Sequence, residues 1–375
     1  MYVSAEQTAL EKIDIDFKKK TKEANDFVKN ALENLSASDK LHSLDIQEPT
    51  YKSEGFKIVN NMIVDSTAQS DTVFIPEGID TIGKSAFDYR SERYVANSKI
   101  VLPNGLKQIG EAAFENCANI NEIDVKEPEL CYYIDGQTGQ FSRGFSQFPS
   151  TLEEIGAFAF HKLGNDSEKA IEYLLLPKTL KKVGNGAFAE INVNTAYIAG
   201  PQSISEYCFR RSKLRKVILT DNVKVIRKLA FAECGMLEEI VLGHRIREIR
   251  DYAFYYCFAL REIIFPDTLK RIGSLAFLEC GFLNIKIPDS VTEIGGNAFS
   301  KCKNLTKVTI GKGLTAIPEC CFSNCSKLKE VVIPETVTEI AHDAFKNCGN
   351  FTILGTVGSY AEQYARENNI QFLSL

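Results

Sequence analysis

Eleven cysteines and four histidines are the residues of this 375-residue chain whose side chains could bind metal, exchange electrons or attack a substrate. Cys320, Cys321 and Cys325 place three sulfurs close together, as a zinc site would, but structural zinc needs paired short-spaced ligands and no second pair follows. The histidines, His42, His161, His244 and His342, lie at least 80 residues apart and share no motif. The chain has no glycine-rich phosphate loop, no nucleophile elbow and no kinase or metalloprotease signature. Neither a cofactor nor a metal is expected, and the odd cysteine count argues against a complete disulfide framework.

The elements that would have to position such groups are set by a repeat. Phe87, Phe114, Phe160, Phe188, Phe209, Phe231, Phe254, Phe277, Phe299, Phe322 and Phe345 each follow an alanine or cysteine and stand five residues after an isoleucine or valine. From Phe188 onward the steps are 21, 22, 23, 23, 22, 23 and 23 residues, and self-similarity at a fixed period means a solenoid. Seven cysteines (Cys117, Cys234, Cys257, Cys280, Cys302, Cys325 and Cys348) stand three residues after the phenylalanine, and Cys208 and Cys321 take the alanine place. These positions read as core, where cysteine behaves as a small apolar group.

Within a unit such as LKEVVIP, Leu328, Val331 and Ile333 point inward and Glu330 and Val332 outward, as alternation along a strand requires. A proline closes many of these strands because it cannot donate to a ladder. Gly83, Gly110, Gly156, Gly184, Gly273 and Gly295 follow the isoleucine, at a turn expected to need glycine's conformational freedom. The phenylalanine itself is expected on a single helical turn.

The segments IPDSVTEIGGNAFSKCKNL, IPETVTEIAHDAFKNC and FPDTLKRIGSLAFLEC resemble the BspA-like, treponemal-type leucine-rich repeats over about 300 residues. The resemblance implies an α/β repeat protein: a right-handed leucine-rich repeat solenoid of about 11 units of 22–23 residues, with short strands plus one helical turn per unit. Its expected organisation is an N-terminal amphipathic helix and linker over 1–45, a capping hairpin over 46–75 turning at Asn60-Asn61, repeats over 76–351 and a closing cap over 352–375. Most bacterial members are binding proteins that are secreted or attached to the cell surface, so the resemblance implies a non-catalytic protein that recognises a protein or glycan of a host or neighbouring cell. That inference is by analogy, since one scaffold serves many partners.

The alternative is an intracellular scaffold, because MYVSAEQTALEKIDIDFKKK has no basic start followed by an apolar stretch; the family resemblance favours instead a leader left off, with Met1 an added start. A net charge of −5 with mixed signs gives no reason to expect nucleic acid, and no apolar run is long enough to span a bilayer. A monomer is expected. Thr8 to Ser36 has near-heptad apolar spacing, fitting a helix that caps the solenoid, pairs with another chain or serves as a stalk.

Three surfaces are candidates for contact with a partner. An insertion near 126–148 carries Tyr132, Tyr133, Phe141, Phe145 and Phe148 and reads as a packed hairpin, an aromatic contact surface or a degenerate repeat; shorter insertions lie at 88–98 and 161–172. A basic stretch includes Arg210 and Arg211, with Asp221 its single acid, and Lys224, Arg247 and Lys270 recur at one repeat position. The outward strand rows are Ile218, Val241, Ile264, Lys286, Thr309 and Val332, with Lys216, Glu239, Glu262, Asn284, Lys307 and Glu330 beside them. β-branched residues suit any sheet, so this third surface could equally be an ordinary ladder.

Overall fold

The computed structural model describes residues 55–68, 70–87, 98–128, 130–134, 141–145, 147–165 and 167–375, with the main chain alone for 130–134 and 141–145. The expected helix over Thr8 to Ser36 with its linker, the first part of the capping segment (46–54) and the insertion at 88–98, apart from Ser98, lie outside the described residues. A β-solenoid of about 12 parallel-strand turns is observed. One ladder, here the back, is made of two-residue strands ending on the repeat isoleucine, such as Glu248–Ile249, Arg271–Ile272 and Glu293–Ile294, paired in register. The other, the front, is made of longer strands such as Ile171–Leu176, Val193–Ile198, Lys216–Leu219 and Glu239–Val241.

Between the ladders runs a column of phenylalanine rings. From Phe114 to Phe345 successive rings stack at centroid separations of 5.2–5.5 Å and stay within about 12° of parallel. Such offset stacks add attraction beyond the area they bury. The ring column is fixed by main-chain bonds one residue away: Phe254 N–H donates to the Ala276 carbonyl at 2.7 Å and Phe277 N–H to the Ala298 carbonyl at 2.8 Å. Chains that approach this closely leave room for no side chain beyond the methyl or thiol of the alanine and cysteine column, which is buried throughout.

The phenylalanine corner is not helical, contrary to the expectation above, and the fold is built of strands and turns. From Phe114 to Phe322 two residues in each corner take left-handed φ, as Leu275 at 55° and Glu279 at 57° do on either side of Phe277. Leu275, Phe277 and Glu279 then donate to Gly296, Ser300 and their intervening Ala298 in the next turn, so the amide groups a helix would use within itself are spent between turns. Among the described residues the one α-helix is Tyr360–Glu367, which buries Ala361, Tyr364 and Ala365 against the last turn. The strand Gln371–Ser374 follows it and pairs with Thr352–Gly355. At the other end the hairpin Phe56–Val59 and Met62–Ser66 turns through Asn60 and Asn61, both left-handed.

The repeat glycines have a different reason from the one expected. Gly83, Gly110 and Gly273 do not have positive φ; instead a Cβ on Gly110 would lie 2.7 Å from the Gly83 carbonyl carbon, so glycine permits the close approach of one turn to the next.

Both ladders are interrupted. Pro318 occupies the place where Gly295 donates to the Ile272 carbonyl, and with no N–H it ends the back sheet between Ile294 and Ala316. The front sheet breaks between Val125 and Ile171 and again between Val241 and Asn284. Across the 46-residue interval from Ile109 to Ile155 the two isoleucines are nonetheless direct partners on the back ladder, so the insertion adds no turn and is not a degenerate repeat.

Phe277 is fully buried and touches rings on both sides. Phe277→Ala is expected to lower stability by about 3–5 kcal/mol, measured by denaturant unfolding; a loss near that of a surface substitution would contradict the ring column.

Candidate functional site

The residues with chemical potential are largely absorbed by the fold. All ten described cysteines are free, and nine of them are buried. Their column is more than apolar filling: the thiols of Cys234, Cys257, Cys280, Cys302, Cys325 and Cys348 each donate to the carbonyl of the phenylalanine one turn back, at 2.9–3.3 Å. Where the column holds Ser212, its hydroxyl makes the same bond to Phe188 at 2.9 Å, a substitution that marks the donor role in the sequence itself. Phe254 O thus accepts from Cys257 N–H within its turn and from the Cys280 thiol of the next. Burial pushes the Cys234 and Cys302 thiols up to about 12 and removes the thiolate that nucleophilic or metal chemistry needs. Cys320 alone of the ten is partly exposed, and its thiol is held up by the Asp343 carboxylate 3.1 Å away and by burial. Among the described residues no group of three His, Cys, Asp or Glu side chains could hold a metal ion.

His161 is the exception to the scatter of the histidines. Glu115 and Glu190, from the turns on either side, bracket its ring at 3.1 and 3.7 Å, and Phe158 packs edge-on against it. Glu115 and His161 each directly follow their phenylalanine and Glu190 stands two after Phe188, so the cluster shows only when the repeats are laid in register and not as a local motif.

The basic stretch changes character once folded. Arg210 and Arg211 share Glu233, with Arg210 Nε at 2.9 Å and Arg211 Nε at 2.7 Å, while Arg215 pairs with Glu238 and Lys216 with Glu239. Burial works against the Glu233 carboxylate, but the Arg211 and Arg210 guanidiniums outweigh it and hold its pKa below the ordinary value. Every one of these acids is 22 or 23 residues further along, one turn away, and so invisible to a count along the stretch itself. Lys224, Arg247 and Lys270 do lie on adjacent rungs, with Arg247 and Lys270 N–H each donating to the carbonyl before it at 2.8 Å. Lys224 Nζ reaches Gln202, and none of the three has a carboxylate partner among the described residues.

On the front sheet the inner outward row is a set of cross-turn ion pairs: Lys99 with Glu122 and Asp124, Lys216 with Glu239, and Lys307 with Glu330. The Glu122 carboxylate holds the Lys99 ammonium above its ordinary value despite partial burial. In the second row Ile218 is only 7% exposed, Val241, Thr309 and Val332 are half-buried, and Ile264 is 77% exposed. The insertion forms an antiparallel hairpin of Leu130–Ile134 and Phe141–Phe145, with Tyr132 opposite Arg143, Tyr133 opposite Ser142 and Leu130 opposite Phe145. Side chains of Tyr132, Tyr133, Phe141 and Phe145 lie outside the described part of the structure. Phe148, grouped with them in the sequence, is a core residue packed edge-on against Phe160.

Comparison with known proteins places this architecture. A family model described as "BspA type Leucine rich repeat region (6 copies)" matches residues 6–134, 142–261 and 247–359. A leucine-rich repeat protein from Bacteroides ovatus is similar in structure, with a TM-score of 0.58 and 24% identity over 87% of this chain and 97% of that one. A leucine-rich cell surface protein from Faecalibacterium prausnitzii aligns at a TM-score of 0.45 and 23% identity over 81% and 88% of the two chains. The pneumococcal vaccine antigen PcpA aligns at 0.43 and 18% over 82% and 80%. No curated protein matches the sequence.

Two outcomes check this geometry. Alkylation of the native protein, mapped by peptide mass, is expected to modify Cys320 first among the ten described cysteines and the other nine only on unfolding; early labelling of Cys257 or Cys280 would contradict the buried column. Glu233→Gln is expected to cost about 1 kcal/mol, since the pair is partly buried but still screened by solvent, yet to strengthen retention on a heparin resin by releasing Arg210 and Arg211. Unchanged retention would show that Glu233 does not mask them.

Proposed function

Because the chain belongs to the BspA-type leucine-rich repeat family, we propose that it is a non-catalytic binding protein, displayed on or released from a bacterial cell, which recognises a protein or glycan of a host or neighbouring cell. The observation that carries this reading is the division of labour between side chains. Inward positions are consumed by the ring, aliphatic and thiol columns, and the outward positions of a hydrogen-bonded ladder are left to vary. A surface held by two ladders loses little conformational entropy when it is contacted, so modest contacts suffice.

Two features give the surface something to recognise. The Lys224, Arg247 and Lys270 column offers three cations without carboxylate partners among the described residues, at the roughly 5 Å spacing of adjacent strands, which suits a repeating acidic ligand. The hairpin of 130–134 and 141–145 is the largest departure from the repeat, and insertions in such arrays commonly lie on the binding side. No described helix is long and apolar enough to cross a membrane. Free cysteines do not discriminate between compartments here, because a buried, protonated thiol resists oxidation wherever the protein resides.

Surface plasmon resonance against matrix proteins, heparin and a bacterial cytosolic extract tests the proposal. The expected result is saturable binding to a matrix protein or glycan that falls at least tenfold in the triple variant K224E/R247E/K270E, or when residues 130–145 are replaced by a short Gly-Ser link. Heparin binding through the cation column should also weaken steeply with salt. Capture of cytosolic partners alone would overturn the extracellular reading.

A further inference from the structure

The back ladder carries a run of positive charge that its own acids do not cancel. Val225–Ile226, Glu248–Ile249 and Arg271–Ile272 pair in register, so residues at equal distance from the repeat phenylalanine stand on adjacent rungs, roughly 5 Å apart. Lys224, Arg247 and Lys270 form one column, seven residues before Phe231, Phe254 and Phe277. Arg227 and Arg250 form a second, four residues before Phe231 and Phe254, in the place that Gly184 and Gly273 take in other turns. The main chain fixes both columns. Arg247 and Lys270 N–H donate to the carbonyls of Lys224 and Arg247 at 2.8 Å, and Arg227 and Arg250 N–H to those of Ile204 and Ile226 at 3.0 and 2.9 Å.

The acids on this face are already engaged. Glu248 pairs with Arg250 at 3.1 Å, Glu293 pairs with Arg271 at 3.5 Å, and Asp251 accepts from Ser274 N–H at 2.9 Å. Lys224, Arg227, Lys228, Arg247 and Lys270 are left without a carboxylate in ion-pair distance among the described residues. Three of them have neutral partners: Lys224 Nζ reaches the Gln202 amide oxygen, Arg227 Nε the Ser203 hydroxyl, and Lys228 Nζ the Tyr252 ring. Lys224 is half-buried and the other four are exposed. The run is bounded, since the first column passes to Gln202 on one side and to Thr292 on the other. Beside Arg227 opens a furrow of about 620 Å³ bordered by Lys182, Gly184, Asn185, Ser203 and Ser205.

We propose that this face binds a linear sulfated polysaccharide laid along the solenoid axis. Its sulfates would meet Lys224, Arg247 and Lys270 from rung to rung and Arg227 across the ladder, and its sugar rings would continue into the furrow. The match is one of period. A polymer bears its anions at a constant interval, as the ladder bears its cations, whereas the carboxylates of a folded protein surface keep no such interval. Arginine's planar fork favours an oxoanion that accepts two bonds at once. A single-stranded nucleic acid is the poorer fit, because it is held by aromatic rings that stack on its bases, and the ring at this site, Tyr252, already faces the Lys228 ammonium at 5.9 Å. The inference deepens the binding reading and depends on it.

The test uses the full chain and a fluorescein-labelled heparin hexasaccharide, read by fluorescence anisotropy. Saturable binding is expected, with an affinity that falls linearly with salt on logarithmic axes. A hyaluronan hexasaccharide, which carries carboxylates and no sulfate, should bind at least tenfold more weakly. K224E/R247E/K270E should weaken the heparin fragment at least tenfold and Arg227→Glu, outside that column, at least fivefold, each with a shallower salt dependence. K303E/K329E/K346E makes the same change of charge at exposed lysines off this face and should stay within twofold of the parent. Arg227→Gln, a milder change at an exposed position, should weaken binding about threefold with an unaltered thermal unfolding profile, which separates loss of contact from loss of fold. No binding, an equal loss in the off-face control, equal binding of hyaluronan, or tighter binding of polyglutamate or oligothymidylate would overturn the proposal. A matrix protein or another glycan that binds the back-face variants unchanged, with no hexasaccharide binding, would overturn this site and leave the wider binding reading standing.

Discussion

The structure depends on a main-chain hydrogen bond from each repeat phenylalanine to the residue before the next one, as from Phe254 N–H to Ala276 O. That bond sets how far the chain climbs in one turn. The aromatic stack at 5.2–5.5 Å, the alanine and cysteine column and the glycine contact at Gly110 all follow from the closeness it imposes. The thiol donors complete the arrangement, giving the carbonyls of Phe209, Phe231, Phe254, Phe277, Phe299 and Phe322 a second partner in the neighbouring turn. Stability in such an array is a sum of like interfaces, which is why no single turn dominates it.

Much of the fold was legible in the sequence because each column is one residue type recurring at one period. Phe277, Ile272 and Ala276 need only be counted to be placed in the core. The helical turn was misread because left-handed corners at Leu275 and Glu279 carry no glycine or asparagine to announce them; contacts between turns, not local preference, hold those angles. The glycines were misassigned for the converse reason, since close approach and positive φ leave the same residue in a sequence.

The interaction surfaces were less legible, and the difference is one of distance along the chain. Glu233 compensates Arg210 and Arg211 from 23 and 22 residues away, so a local count of charge overstates the basic patch. His161 meets Glu115 and Glu190 only through stacking. The break at Glu262–Phe265 has no mark in its residues at all: REIIFP carries the same alternation and closing proline as turns whose ladders are intact.

The pairing of Ile109 with Ile155 across 46 residues has a wider consequence. The stretch inserted between Val125 and Phe148 leaves and rejoins the array within this one turn, so its length is uncoupled from the pitch. Natural variation at this seam is therefore freed from the packing rules that restrain every other turn. A foreign loop grafted there would inherit a rigid mount without disturbing it.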